Sequence, residues 1–565
     1  MELYHNSHST DYRKPFGAVR CKGHIELKLK APEADYAVLR LYTDEAGEGM
    51  LQPSFRQGDT FTWRFSAPED DCVLWYFFVV GQNDNVYCYG NNDKQLGGEG
   101  RVYRPGETPE SFRIGVYHDF KVPDWYKEGI VYQIFPDRFR RTAKLNTRSA
   151  GITDLEDLAP GAVYDPNTGR VFEDWDTLPY YIKNKDGSIA HWNFWGGSLA
   201  GIEEKLDYIK SLGATIIYLN PIFEARSNHR YDTSDYFKID PMLGTEADFR
   251  RLCEKAKKLG IRIILDGVFN HTGVNSKYYR EHPDWFQRDE NGDVVCWWGV
   301  KDLPQVDELN PEFSEMICGE NGVLRYWLRA GASGWRLDVA DELPNEFLMK
   351  IRQAVKAEGS DKVVIGEVWE DAGYKFDYGK RMRFLGGKEL DSVMNYPVRQ
   401  DILDYMSCQI GSAEFAARQM SRMENYPPEA WAGCFNMLGS HDRERILTLL
   451  GSEEAVKFAA AILYSLPGVP VIYYGDEVCL EGGKDPDNRR SFPWEQLAAK
   501  KEMTDHFRAL GRLRNGSETL KKGSFSAFEG ENGTLIVRRS FGAETVDFCF
   551  DRNTLTWKYE TKKAE

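Results

Sequence analysis

The sequence predicts a multidomain protein built around a closed (β/α)8 barrel, with a β-sandwich before the barrel and a small β-sandwich after it. Its 565 residues exceed what one hydrophobic core usually organises. The first part of the chain alternates between apolar and polar residues, as strands do. Further on, apolar runs are separated by amphipathic helical segments, and eight such runs favour a closed parallel barrel over an open sheet.

The N-terminal part, residues 1–118, predicts a β-sandwich, and its sequence leaves open whether this module binds carbohydrate, packs against a neighbour or makes a dimer contact. Its apolar residues fall at every second position, with charged or hydroxyl residues between them, so one face of each strand should be buried. Turn sequences at 45–49 and 82–85 separate these short segments. The apolar positions are Ile25, Leu27 and Leu29, which alternate with Glu26 and Lys28, and Phe61, Trp63 and Phe65, which alternate with Thr62 and Arg64.

Residues 119–512 predict the barrel, and residues 513–565 the small C-terminal β domain. The connections at 139–197 and 272–310 are long, and we expect the second of them to form an inserted domain at the active-site rim. The predicted barrel strands lie within Gly129–Phe135, Thr215–Phe223, Arg262–Asn270, Gly334–Val339, Lys362–Val368, Ser392–Tyr396, Gly433–Leu438 and Val469–Tyr474.

Two predicted helices end in a glycine just before the next barrel strand. The helices cover Ile202–Leu212 and Phe249–Leu259, and Gly213 and Gly260 follow them. Glycine at this position allows the left-handed conformation that commonly closes a helix. The pattern therefore indicates the helix-to-strand connections of a parallel barrel.

Composition excludes several classes of partner. The formal net charge of -16 argues against binding to nucleic acid or to anionic membranes, because phosphate groups would be repelled. The N-terminus lacks a basic segment followed by an apolar run, which argues against a secretory signal, and no apolar run is long enough to span a bilayer. The ten cysteines are scattered, so we interpret them as reduced residues of a cytoplasmic protein.

Three carboxylates follow predicted barrel strands at the end where barrel active sites lie. Asp338 ends the fourth strand, Glu367 ends the fifth, and Asp442 follows the seventh. Burying unpaired carboxylates after apolar strands would cost several kcal/mol each, roughly, so a purely structural role for the set is disfavoured.

The spacing of two of these carboxylates suits retaining cleavage of a glycosidic bond. Such cleavage uses two carboxyl groups about 5–5.5 Å apart. Neighbouring strands lie about 4.7–4.9 Å apart, so Asp338 and Glu367 can reach that separation. Arg336 points to the same face as Asp338, and we expect it to keep Asp338 ionised at neutral pH or to serve as a structural ion pair.

Four segments resemble the short conserved regions of the α-amylase family of glycoside hydrolases, and they occur in the family's order. They are Asp-Gly-Val-Phe-Asn-His (266–271), Gly-Trp-Arg-Leu-Asp-Val-Ala-Asp-Glu (334–342), Gly-Glu-Val-Trp (366–369) and Gly-Ser-His-Asp (439–442). Further segments at 131–139, 228–233, 473–477 and 482–489 are similar to those of neopullulanase, cyclomaltodextrinase and maltogenic amylase.

The resemblance implies a role for each matching residue. It implies Asp338 as nucleophile, Glu367 as acid/base and Asp442 as the residue that stabilises the transition state. The other matching positions imply substrate binding, with Tyr231 stacking on the sugar ring. These substrate-binding residues are His229, Tyr231, His271, Arg336, Glu342, Trp369 and His441.

Departures from the subfamily pattern limit how far the roles of subfamily residues can be assigned to this chain. Asp341 stands where the subfamily usually has Asn, and Glu370 stands where it often has His. The segment after Phe139 lacks the Asn-Gly-Asp loop that often binds calcium, so we predict no calcium there, no other metal and no required cofactor. Trp297 and Trp298 either stack on sugar or pack within the inserted domain.

The resemblance implies hydrolysis of α-1,4 and also α-1,6 bonds in cyclomaltodextrins, maltooligosaccharides or pullulan, by a homodimer. An oligo-α-1,6-glucosidase, a transglycosylase or a sugar isomerase of the same family is the alternative within this chemistry. An inactive glucan-binding or scaffold protein is the alternative of another class, and the presence of all three carboxylates argues against it.

Overall fold

The computed structural model describes residues 2–142, 161–165, 169–377 and 379–563, and a parallel barrel of eight strands lies at its centre. Each strand pairs with its neighbours in chain order, and the first pairs with the eighth. A parallel bridge between Met394 and Phe435 joins the sixth strand to the seventh and closes the predicted barrel. The strands are Val131–Ile134, Ile216–Leu219, Arg262–Gly267, Gly334–Leu337, Val363–Gly366, Ser392–Val393, Phe435–Met437 and Val469–Tyr473.

Every barrel strand lies inside one of the eight apolar runs of the sequence. The strands are shorter than the runs, and nearly all of their residues are buried. Both faces are covered, by side chains inside the barrel and by helices outside, and this is why the runs are continuously apolar. The predicted (β/α)8 architecture is confirmed.

The helices surround the barrel, and two glycines close them as predicted. Gly213 and Gly260 have positive φ angles of 85° and 72°. The helix expected at Ile202–Leu212 is two short helices with a break at Lys205. The α-helices are Asp124–Lys127, Pro136–Phe139, Leu199–Glu204, Leu206–Ser211, Glu246–Lys258, Lys277–Glu281, Pro311–Cys318, Val323–Ala330, Asn345–Ala357, Tyr396–Met406, Ser412–Asn425, Pro428–Ala432, Ile446–Leu450, Glu453–Ser465, Lys501–Gly516 and Glu518–Lys522.

The N-terminal part contains two β-sheets packed face to face around one apolar core. Ile25, Leu27 and Leu29 point into that core as their alternation predicted, whereas Phe65 is only half-buried. One sheet has four strands and the other seven. The strands are Arg13–Lys14, Val19–Arg20, His24–Lys30, Tyr36–Thr43, Gly47–Leu51, Phe55–Gln57, Thr60–Ser66, Cys72–Gln82, Asn85–Gly90, Arg101–Tyr103 and Phe112–Tyr117.

Both long connections lie beside the carboxyl ends of the barrel strands. The described part of the first forms a four-stranded sheet of Val163–Asp165, Arg170–Phe172, Ile182–Lys183 and Ile189–Phe194. The connection at 272–310 has the short helix Lys277–Glu281 and three-residue turns, and isolated bridges hold it together. Two further short hairpins are Phe223–Ala225 with Thr233–Ile239, and Phe376–Asp377 with Lys380–Arg381.

The C-terminal part is one antiparallel sheet, so the predicted sandwich is wrong in this detail. Its inner residues, among them Leu535, Val537 and Phe548, belong to the same buried apolar cluster as the barrel. The sheet therefore covers its apolar face against barrel helices and needs no second sheet. The helix Lys501–Gly516 also crosses the boundary expected at residue 512. The strands are Ser524–Glu529, Leu535–Phe541, Glu544–Asp551 and Thr556–Lys563.

Across the described ranges, the helices are too short or too polar to cross a membrane.

Candidate active site

Asp338 and Glu367 lie next to each other because their strands pair in register. Leu337 is the partner of Gly366, and the two acidic residues follow directly. The backbone N–H of Val339 donates to Oε2 of Glu367 over 2.9 Å. Val339 has a φ of 47°, which is strained for a β-branched residue, and it turns the chain sharply after Asp338.

One guanidinium group holds three carboxylates at the floor of the site. Nη1 of Arg336 donates to Asp266 over 2.7 Å and to Asp338 over 2.9 Å, and Nη2 forms a 2.9 Å ion pair with Glu367. Burial alone would lower the pKa of Arg336, but attraction to Asp266 and Glu367 outweighs it and raises the pKa. Arg336 therefore stays charged and keeps Asp338 and Glu367 close to each other.

The expectation that Arg336 keeps Asp338 ionised needs correction. Burial raises the pKa of Asp338 well above its ordinary value; Arg336 lowers it, and Glu367 raises it again. The pKa of Glu367 is raised by burial and by Asp442, against the pull of Arg336. One cation is shared among several carboxylates, so its pull does not offset burial, and the pKa values of Asp338 and Glu367 both lie above their ordinary values.

Tyr231, His441 and Asp442 form one wall above this floor. The rings of Tyr231 and His441 are nearly parallel, at 4°, and the Tyr231 hydroxyl lies 2.6 Å from Nε2 of His441 and 2.9 Å from Asp266. Nε2 of His441 is also 3.2 Å from Asp442. Burial raises the pKa of Asp442, against the attraction of Arg489.

The three predicted histidines have pKa values below the ordinary value of a histidine. Burial lowers the pKa of His271 to about 3, and it lowers those of His229 and His441 well below the ordinary value. The backbone N–H of Tyr231 donates to Nδ1 of His229 over 3.1 Å, so the other ring nitrogen of His229 carries the proton. Nε2 of His271 is buried and has no hydrogen-bond partner among the described residues, so it is free for a substrate hydroxyl.

Glu342 holds the two neighbouring tryptophans of the 272–310 segment. The indole N–H of Trp297 donates to one oxygen over 3.0 Å, and that of Trp298 donates to the other over 2.9 Å. Trp297 stacks on His271 with ring centroids 4.8 Å apart, whereas Trp298 is 81% exposed. Both tryptophans line the cavity: Trp297 is packed on His271, and most of the Trp298 side chain is exposed.

Trp369 and the two departures from the subfamily pattern form the opposite wall. Trp369 stacks on Tyr396 with ring centroids 4.2 Å apart. Nζ of Lys375 donates to Asp341 over 3.0 Å and to Glu370 over 2.7 Å. The residues that depart from the subfamily pattern are thus neighbours in space, joined by one lysine.

These walls enclose an open cavity of about 820 Å³. Nine of the ten predicted site residues line it, and Arg336 lies beneath its floor. The size and the mixture of aromatic and polar lining groups suit an oligosaccharide. The lining residues that the site prediction missed are Tyr181, Leu303, Val339, Lys375, Asp377, Arg443, Asp485 and Arg489. Four further lining residues were discussed in the sequence but not predicted as site residues: Trp297 and Trp298, with sugar stacking or packing as alternatives, and Asp341 and Glu370, as departures from the subfamily pattern.

The described residues contain no group of His, Cys, Asp and Glu arranged to hold a metal ion. The loop after Phe139, where we predicted no calcium, is described only as far as residue 142, and its continuation lies outside the described residues. The absence of calcium and of a cofactor stays a prediction.

Residues 133–297 and 285–520 match the family model of the α-amylase catalytic domain. The chain is 34% identical to the cyclomaltodextrinase of Geobacillus thermopakistaniensis, over 77% of this chain and 70% of that protein. It is 34% identical to neopullulanase 2 of Thermoactinomyces vulgaris, over 83% of this chain and 80% of that protein. It is also 34% identical to the amylopullulanase of Thermoanaerobacterium thermosulfurigenes over 95% of its length, but it spans only 32% of that protein.

Solved structures agree with this relationship. The ligand-free cyclic α-maltosyl-(1→6)-maltose hydrolase of Arthrobacter globiformis aligns with a TM-score of 0.67 at 30% identity, over 78% of this chain and all of that one. The type III pullulan hydrolase of Thermococcus kodakarensis aligns with a TM-score of 0.65 at 27% identity, over 97% of this chain and 94% of that one.

Proposed function

The chain belongs to the α-amylase family of glycoside hydrolases, and from this membership and the site we propose that it is a retaining hydrolase of short α-glucans. The substrates we propose are cyclomaltodextrins, maltooligosaccharides and pullulan, cleaved at α-1,4 and also at α-1,6 bonds. Relatives named for these activities support the proposal. The observation that carries it is the pairing of Asp338 and Glu367 around Arg336, with Asp442 in the same cavity.

The proposed reaction has two steps. Glu367 gives its proton to the glycosidic oxygen while a carboxylate oxygen of Asp338 bonds to the anomeric carbon, and the leaving glucan departs as an alcohol. Glu367, now ionised, then takes a proton from water, and the water oxygen displaces Asp338 from the same carbon. Asp442, His271 and His441 line the same cavity, and we propose that they hydrogen-bond to the reacting sugar.

Variants of the two carboxylates test this assignment. We expect Asp338→Asn to lose activity on every glucoside, because no nucleophile remains. We expect Glu367→Gln to lower kcat/KM, which reports formation of the glycosyl-enzyme, by about 10²–10⁴-fold on maltotriose and by much less on an aryl maltoside whose leaving group needs no proton. Initial rates on maltotriose and on the aryl maltoside measure both variants; equal losses of kcat/KM on the two substrates in Glu367→Gln would contradict the role as acid.

Product chromatography with cyclic, linear and branched glucans decides between the proposed activity and its alternatives. Activity on isomaltose alone would indicate an oligo-α-1,6-glucosidase. Glu367→Gln releasing sugar as fast as the wild type would indicate a scaffold protein. No specific contact in the site favours either alternative over the hydrolysis of maltodextrins.

We also propose a homodimer in the cytoplasm. The two-sheet N-terminal part resembles the module that often contributes to dimerisation in the subfamily. All ten cysteines are unpaired in the structure, which supports a reducing compartment.

A further inference from the structure

We propose that Tyr181, which directly precedes the strand Ile182–Lys183 of the small sheet inserted after the first barrel strand, ends the cleft on the glycone side and so sets the length of the released product. The glycone is the part of the glucan that becomes bonded to Asp338. This inference rests on the proposed function and adds a specificity-determining residue to it. The observation that supports the inference is the position of Tyr181 at the end of a row of polar contacts that starts at Asp442.

The two sides of the cavity can be told apart by the acid. In the proposed reaction Glu367 protonates the leaving oxygen, so we assign the leaving glucan to the part of the cavity lined by Trp369, Glu370 and Lys375, which follow Glu367 in the chain. The glycone then extends in the other direction, away from the acid. Asp442 lines the cavity, and the contacts that we follow along the glycone side start from it.

A row of polar contacts runs along the glycone side. Oδ1 of Asp442 is 3.7 Å from Nη2 of Arg489, and Nη1 of Arg489 is 2.9 Å from Oδ1 of Asp485. The hydroxyl of Tyr181 donates to Oδ2 of Asp485 over 2.6 Å. All four residues line the cavity, and Tyr181 is the member of the row that comes from the connection after the first barrel strand, directly before the strand Ile182–Lys183.

Aromatic packing supports Tyr181 from behind. Its ring meets that of Trp192 edge to face, with centroids 6.1 Å apart and an angle of 81°. Trp192 in turn meets His229 edge to face at 4.8 Å and 84°. His229 also lines the cavity, so Trp192 links Tyr181 to the wall beside the reacting sugar.

The inserted sheet is tied to the barrel loops, so Tyr181 is a fixed wall. Nδ2 of Asn193 donates to the carbonyl of residue 180 over 3.0 Å, and Nδ2 of Asn228 donates to the carbonyl of Asn193 over 2.7 Å. Asn228 immediately precedes His229 in the motif that the sequence singled out. Burial and the neighbouring Asp485 raise the pKa of Tyr181, so its hydroxyl remains a donor at neutral pH.

If Tyr181 ends the glycone side of the cleft, a glucan too long for that side would have to pass the position of the Tyr181 ring. The hydrogen bond to Asp485 fixes the ring but does not itself block the path. The proposal therefore separates two variants: Tyr181→Phe keeps the wall and loses the hydrogen bond, whereas Tyr181→Ala removes the wall.

The test uses the full chain with maltoheptaose labelled at its reducing end, so the labelled fragment shows where the first cut falls. We expect the wild type and Tyr181→Phe to release the same short unlabelled product, and Tyr181→Ala to shift toward products longer by one or more glucose units. Tyr181→Leu, which keeps apolar contact with Trp192, should shift in the same direction and serves if Tyr181→Ala does not fold.

Two results would overturn the inference. An unchanged product length in active Tyr181→Ala or Tyr181→Leu would show that Tyr181 does not end the cleft. Loss of activity in a folded variant without longer products would show that Tyr181 serves the reaction itself. A wild type that cleaves no glucan at all would instead overturn the proposed function.

Discussion

At the scale of single residues, the charge of Asp442 raises the pKa of Glu367, and this gives a prediction about the pH dependence of the reaction. Burial raises the pKa of Glu367, and the charge of Asp442 raises it further. A raised pKa keeps Glu367 protonated to higher pH, and the alkaline limb of kcat/KM reports the loss of that proton in the free enzyme.

We therefore expect Asp442→Asn to move the alkaline limb of kcat/KM to lower pH, because a nearby negative charge that raises the pKa of Glu367 has been removed. The rate will also fall, so the profile is compared after normalisation to its maximum. Glu370→Gln is the control, since Glu370 lies at the rim of the same cavity and pairs with Lys375. A limb that stays in place in Asp442→Asn, or moves equally in the control, would contradict the coupling.

Residues within short motifs could be predicted from the sequence, and residues placed by loops could not. Asp338 and Glu367 follow strands whose pairing is fixed, so their neighbourhood follows from the barrel itself. Tyr181 and Lys375 lie in irregular connections and reach the cavity because of how those connections fold. No periodic pattern in the sequence predicts that position. Asp485 and Arg489 lie within residues 482–489, a segment that is similar to the neopullulanase subfamily. That similarity is the sequence signal that could have identified these two residues.

At the scale of elements, the same contrast separates the barrel strands from the inserted sheet. Barrel strands buried on both faces give long apolar runs that stand out in the sequence. The strand Val163–Asp165 is half-buried and three residues long, and Ile182–Lys183 has two residues, so neither produces a readable pattern. The C-terminal strands alternate clearly, but alternation cannot tell whether a sheet or helices cover the apolar face.

Lys375 joins two loops of the barrel and gives the prediction at this scale. Asp341 belongs to the turn after the fourth strand and Glu370 to the loop after the fifth. We expect Lys375→Ala to raise KM for maltotriose several-fold, because about 1 kcal/mol of loop positioning is lost on the leaving-group side. The value of kcat should change little, since Lys375 does not contact Asp338 or Glu367.

Steady-state kinetics on maltotriose and on an aryl glucoside with a single sugar measure the effect, and Lys375→Arg is the control that keeps the charge. The aryl glucoside has no second sugar to occupy the leaving-group side, so its KM should stay close to that of the wild type. An equal rise in KM for both substrates would assign Lys375 to general stability instead.

At the scale of the whole molecule, a buried ion pair joins the N-terminal sheets to the barrel. Arg13 pairs with Glu424 on the barrel helix Ser412–Asn425, and His8 lies 3.0 Å from the same carboxylate. Burial alone would raise the pKa of Glu424, but Arg13 and His8 outweigh it and lower the pKa. The stability that the pair contributes is therefore present above the ordinary pKa of 4.5 and is lost as pH falls through the lower, folded value.

Removing this pair should loosen the N-terminal part from the barrel. We expect Glu424→Gln to cost about 3–5 kcal/mol at neutral pH, because Arg13 stays buried without a charged partner. Glu414→Gln on the same helix is the matched control: Glu414 pairs with the exposed Lys94 of the N-terminal part, and its loss should cost less than about 1 kcal/mol. Calorimetry at pH 7 and below pH 4.5 measures both, and the deficit of Glu424→Gln should shrink on the acid side. Equal losses in the two variants would show that the buried pair does not fasten the two parts together.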